Sequence, residues 1–149
     1  MSYTEIVQVL AGFVGSIGFA VLFNIRGKRL AAASLGGLFS WLLFVLLSKV
    51  IASEVAAYFI VACAITAYAE IMAWVMKTPT TPFIITSLIP LIPGSSLYNT
   101  MTSAFQSDFN AFFQKATHTL QLATALALGI IAFTTAARVF HKVFGRITK

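Results

Sequence analysis

The chain has 149 residues, of which 59% are hydrophobic and 9% charged, and its mean hydropathy is +0.92. A soluble domain carries about a quarter charged residues, so there are too few here to coat a water-facing surface, and no polar block is long enough for a second domain. The net charge of +6 does not mark a nucleic-acid binder, because the basic residues cluster in the gaps between apolar runs, where they act as topology determinants.

The composition therefore predicts an all-α polytopic integral membrane protein, a single transmembrane domain over residues 1–149 with about five spans. Ser2-Tyr3-Thr4-Glu5 has the form of a capping box at a helix start. The first span, about 6–23, runs 18 residues without a charge. At ~1.5 Å per residue that covers about 27 Å, enough for the hydrocarbon core. With no basic leader and no evident cleavage site, it reads as a retained span rather than a removable signal. Gly12, Ser16 and Ala20 form a small-residue ridge suited to close helix contact. A basic loop, Asn24 to Arg29, follows; Asn24 is suited to end a helix, and Arg26 is either a topology determinant or a ligand. The second span, about 30–47, carries a matching ridge, Ala32, Gly36 and Ser40.

The third span, about 55–76, contains Glu70, the one acid well inside a span. A turn over Lys77 to Pro82 leads on, with Thr81 placed to cap the next helix and Pro82 at its first position. The fourth span, about 83–104, is interrupted at Pro90-Leu91-Ile92-Pro93-Gly94. Phe105, Phe109, Phe112 and Phe113 then share one helical face, opposite Gln106, Asp108, Asn110 and Lys115. That pattern fits an interfacial helix over 105–116 or a fourth span continued past the membrane. The fifth span, about 120–137, ends in a basic tail, 138–149.

Arg26, Lys28, Arg29, Lys77, Arg138, Lys142, Arg146 and Lys149 fall on one side of this topology, Lys49 and Lys115 on the other. The richer side is expected to be cytoplasmic. The N-terminus is then outside and the C-terminus inside a cell (inner or plasma) membrane.

The interruption is the strongest functional signal. Each proline removes an N–H and clashes with the preceding turn, and a backbone opened in hydrocarbon survives only inside protein or beside a wet cavity. Broken helices near the midplane hold substrate in many transporters; the alternative is a plain packed kink. Ser95 or Ser96 is expected to cap the restarted helix, whose positive end suits a carboxylate. The candidate substrate-binding residues are Pro90, Pro93, Gly94, Ser95, Ser96, Tyr98 and Asn99.

An acid inside a span costs roughly 2.5–3.5 kcal/mol on insertion scales, so it is placed for a partner or a path. Glu70, with Thr66 one turn earlier as a hydrogen-bond donor, is the candidate for proton coupling; the alternative is a contact that only supports assembly. By helix rise both Glu70 and Pro90 stand about 10–12 Å from the Lys77–Pro82 turn, and so at similar depth.

No metal and no cofactor are expected. Cys63 stands alone in an apolar run, which excludes an intrachain disulfide and a cysteine metal site, and His118 and His141 have no ligand-spaced neighbours. Trp41 and Trp74 read as packing or interface residues. No phosphate loop, nucleophile elbow or HExxH motif occurs, so an enzyme is not expected.

The run Leu88-Ile89-Pro90-Leu91-Ile92-Pro93-Gly94-Ser95-Ser96-Leu97-Tyr98 resembles the small-subunit domain of the threonine/serine exporter family. Gly18 to Asn24, ending in Phe23-Asn24, is similar to a segment that ends the family's first span. The chain departs from the pattern at Asn99, where an arginine often follows the tyrosine. The resemblance implies the small half of a split exporter of small carboxylates or hydroxy amino acids (succinate, threonine, serine), working with a larger five-span subunit. A homo-oligomer also fits, because five spans make a small cage for a polar path. The rival reading is a non-transporting membrane subunit that stabilises or regulates a partner.

Overall fold

The computed structural model describes residues 2–144, with side chains through residue 139. Six α-helices follow one another: α1 (Tyr3–Leu22), α2 (Lys28–Leu47), α3 (Glu54–Met76), α4 (Thr81–Leu88), α5 (Gly94–Phe105) and α6 (Phe109–Phe144). A single 3₁₀ turn, Ile89–Leu91, joins α4 to α5, and no strand occurs among the described residues. α1, α2, α3 and α6 are each long and apolar enough to cross a membrane. The pair from α4 to α5 makes a fifth crossing if counted as one span, bent by 54° at its break. The chain is thus an all-α, multi-pass membrane protein.

Local chemistry sets the helix ends. The Ser2 N–H donates to the Glu5 carboxylate at 2.8 Å and closes the start of α1. At its far end Asn24 turns left-handed, with φ 58°. Its N–H reaches Val21 O and that of Ile25 reaches Ala20 O, the Schellman pattern, with asparagine tolerating the positive φ. Lys77 (φ 51°) ends α3 in the same way, with Thr78 N–H on Ala73 O. α4 begins one residue earlier than its proline indicated: Thr80 is the cap position, Thr81 is already helical, and Pro82 is second.

Residues 105–116, expected as an interfacial helix, are divided. Phe105 ends α5, Ser107 turns left-handed with φ 57°, and Asp108 caps α6 by accepting the Ala111 N–H at 3.1 Å. α6 then runs unbroken for 36 residues, about 54 Å against a hydrocarbon thickness of about 30 Å. The expected fifth span and the start of the basic tail lie within it. Residues 145–149, and the side chains of His141 and Lys142, lie outside what is described.

α2 is the hub, packed against α1, α3 and α4, while α6 lies on α3 and α5. The small-residue ridges explain this. On α2, Ala32, Gly36 and Ser40 are all buried, and the neighbouring row Ala33 and Gly37 is buried too. Ser16 meets Gly37 and donates its hydroxyl to Thr86 O at 3.0 Å, tying α1 to both α2 and α4. A second tight crossing joins α6 to α3. A Cβ on Gly129 would stand 2.7 Å from Ala62 Cβ and 2.8 Å from Phe59 O, so only glycine allows the two backbones so close.

Two apolar clusters make up the core. In one, Phe83 packs with Ala20, Ala33, Ala69 and Ala73. In the other, Leu91 and Leu122 pack with Tyr58, Val61 and Ile65. The α1–α2 and α3–α4 loops line one common cavity, so Arg26 and Arg29 share an end of the molecule with Thr78 and Pro79. The opposite end carries Lys49 Nζ on the Glu5 carboxylate at 2.8 Å, and His118 Nε2 3.4 Å from Glu54.

Candidate functional site

The break sits at the centre of the bundle. Gly12 is the tenth of the 20 residues of α1. A Cβ built there would meet Pro90 Cβ at 3.2 Å and Trp41 Cβ at 3.6 Å. Pro90 is therefore level with the middle of α1. Just before it, Ser87 presses on Gly36, at the middle of α2, and the ring of Tyr68 closes on the same glycine. The stretch Thr81–Leu91 rises about 18 Å, and α5, tilted 54° from it, adds about 11 Å along the same direction. Their sum of about 29 Å is one hydrocarbon thickness.

Polar atoms gather at this level. Ser87 Oγ and Trp41 Nε1 are buried with no hydrogen-bond partner among the described residues. Past the break, Pro93 occupies the cap position of α5, no side chain caps the helix, and Ser95 and Ser96 lie inside its first turn. The expected serine cap is therefore corrected: helical geometry resumes at Gly94, so Ser95 and Ser96 are already helical residues and neither hydroxyl stands at the cap position. The Gly94 N–H turns back to Ile92 O at 2.6 Å and that of Leu97 to Pro93 O at 3.0 Å. Those of Ser95 and Ser96 have no intrahelical acceptor. Gly94 and Ser95 are exposed, Pro90, Pro93 and Ser96 partly buried, and Tyr98 is 71% exposed.

α5 packs chiefly on α6, and this contact is polar. Ser96 and Asn99 share a cavity of about 270 Å³ with Gln114, Lys115 and His118. Lys115 Nζ donates to Ser103 Oγ at 2.9 Å, and the hydroxyls of Thr100 and Thr119 meet at 3.2 Å. The fold thus brings together Ser96 and Asn99 from the expected set and adds Lys115 and His118. Helical spacing put Lys115 on the polar side opposite the phenylalanines, but not against α5; only the hairpin at Ser107 sets that register.

Glu70 lies elsewhere. It lines a cavity of about 1340 Å³ between α3, the α3–α4 loop and α6, with Ile71, Trp74, Thr80, Phe133 and Ala137 among its neighbours. None of the residues from Pro90 to Asn99 lines that space. Thr66 is not its donor: the Thr66 hydroxyl, fully buried, bonds back to Ala62 O at 2.7 Å. The nearest hydroxyl is that of Thr80, at 3.4 Å. The acid reaches toward the turn, whereas Pro90 faces the middle of α1, so the similar depth counted along the helices does not bring the two together.

A third cavity, of about 330 Å³, lies under the two basic loops and takes in Asn24, Arg26, Arg29 and Thr78. Among the described residues no group of three or more His, Cys, Asp or Glu side chains is placed to hold a metal.

A family profile described as Threonine/Serine exporter, ThrE matches residues 8–136, which takes in most of every span. No curated protein and no solved structure matches the chain. Membrane transport of the exporter type, rather than a class of enzyme, is what that profile describes. With its helical, multi-pass architecture and its match over most of its length, the chain belongs to the threonine/serine exporter family.

Proposed function

We propose that the chain is the small subunit of a two-part exporter for small carboxylates or hydroxy amino acids, the class of succinate, threonine and serine. The observation that carries this reading is the fourth span, which breaks at the centre of the bundle and restarts with uncapped N–H groups. A half-helix N-terminus at that depth attracts an anionic group through its free donors and its dipole. Lys115, beside Asn99 and Ser96, adds positive charge along the same side of α5.

The same geometry argues for a partner. Gly94, Ser95 and Asn99 stand on an open side of the single chain. In hydrocarbon such polar groups are costly unless protein or a wet path covers them. A larger five-span subunit of the family would close that side; a second copy of this chain is the other arrangement the geometry allows. The basic loops face the cytoplasm in this reading, so cargo enters beneath them and leaves near α5. Glu70, held by Thr80 rather than Thr66, would carry the coupling proton from its own groove as the two halves rock.

Efflux of preloaded succinate, threonine and serine tests the proposal in cells making this chain, the larger subunit, or both. Export is expected only with both. Export by this chain alone would replace the split exporter with a homo-oligomer, and a chain that restores partner levels without changing export would be a stabilising subunit. Glu70→Gln is expected to remove the dependence of export on the proton gradient while leaving the protein in the membrane. If export in that variant still follows the gradient, Glu70 is not the coupling group.

A further inference from the structure

The basic loops do more than set topology: the geometry points to a binding site for the carboxylate of a small metabolite in the cavity beneath them. That the carboxylate belongs to the exporter's cargo rests on the reading above; the site itself does not.

Arg26 comes from the α1–α2 loop and Arg29 from the first turn of α2, and Thr78, Pro79 and Pro82 close the cavity from the α3–α4 side. Among the described residues neither guanidinium has a carboxylate within 4 Å; the two ion pairs found, Lys49–Glu5 and His118–Glu54, are at the other end. Both arginines thus keep charge and donors for an outside ligand. Arg26 is also aimed. Its Nε donates to Asn24 Oδ1 at 2.9 Å, and Asn24 is fixed by the left-handed turn that ends α1. The outer nitrogens of that guanidinium remain free to bind an oxyanion in the forked geometry arginine favours.

Two further features fit a ligand rather than a solvated charge cluster. Thr78 Oγ1 lies buried with no partner among the described residues, and Thr78 is a wall between this cavity and the one that holds Glu70. Gly27 holds the cap position of α2 and no side chain caps it, so the helix's first N–H groups and positive end lie beside the arginines. No acid lines the space, and its apolar side is built by Phe23, Ile25 and Phe83. A volume of about 330 Å³ is at the lower end of small-molecule sites and suits a metabolite of a few carbons with one carboxylate on the arginines. The site would collect cargo on the side from which export starts, before it reaches the break.

The test is binding, measured apart from transport. The full chain with its larger subunit is placed in phosphatidylcholine nanodiscs and titrated with succinate, threonine and inorganic phosphate. Arg26→Gln and Arg29→Gln are each expected to weaken carboxylate binding roughly ten- to a hundredfold, the size of a lost charge-assisted hydrogen bond. Thr78→Val is expected to weaken it less. Both arginines are exposed, so the variants should unfold at the temperature of the unaltered protein. Carboxylate binding unchanged in both arginine variants overturns the site. So does a result in which only added phosphatidylglycerol stabilises the protein and the arginine variants lose that effect, which would make this a lipid contact. Arginine-dependent binding in a protein that exports nothing upholds the site and overturns the exporter reading instead.

Discussion

Gly94→Leu should leave the bundle folded and lower export by roughly tenfold or more. Nothing lies within 4 Å of a Cβ built at Gly94, and its φ is not positive, so a side chain meets neither steric nor backbone strain there. What it would cover is the uncapped first turn of α5. Anions at such ends gain about 0.3–1 kcal/mol when exposed and up to ~2 kcal/mol when partly buried, and tenfold corresponds to about 1.4 kcal/mol. A branched side chain over the Ser95 and Ser96 N–H groups also excludes the ligand by bulk. Gly12→Leu is the control with the opposite mechanism, because its side chain would run into Pro90 and Trp41 and damage the fold. Efflux normalised to membrane-inserted protein, with co-purification of the proposed larger subunit, separates the cases. If Gly94→Leu releases the partner, Gly94 is a packing point between subunits; if export is unchanged, substrate does not pass the restart of α5.

The sequence was most informative where chemistry is local. Prolines at 90 and 93 forbid a continuous helix wherever they are packed, so the break could be placed without knowing its neighbours. Small residues every four positions on α1 and α2 announced close contact, and Gly12 and Ser16 do lie against Pro90 and Gly37. Gly37 itself was missed, because it is one position off the Ala32–Gly36–Ser40 row. α2 is gripped on two faces, and a search for one stripe finds only one of them. The register between helices was the larger loss. That Thr80 and not Thr66 reaches Glu70 depends on how the α3–α4 turn folds back. That Lys115 faces α5 depends on the left-handed residue Ser107. α6 looked like two segments because polarity changes along it, yet no proline or glycine interrupts Phe109 to Leu128; a membrane boundary is a change of solvent, not a helix stop.

Gly37→Ala should destabilise the protein by about 1–3 kcal/mol, the usual range for overpacking, and Ser16→Gly should recover part of that loss. An added methyl at Gly37 would overlap Ser16 Cβ and Oγ, with Gly12 O only 3.6 Å away. Ser16 cannot simply rotate aside, because its buried hydroxyl is committed to Thr86 O at 3.0 Å. The clash must therefore be relieved by moving α1 off α2. Such a movement also separates Gly12 from Pro90, so it loosens the break as well as the bundle. Ser16→Gly alone removes one interhelical hydrogen bond, worth about 0.6 kcal/mol on average and up to ~1.7 kcal/mol in a membrane protein. In the double variant that bond is already absent and the methyl has room. The pair should therefore be non-additive by about 0.5–3 kcal/mol, in the direction of rescue. Thermal unfolding of the four proteins in one detergent measures the cycle. Additive losses would mean that α1 and α2 do not meet at Ser16 and Gly37. Rescue of stability together with export would show that the α1–α2 crossing holds the break in its working position.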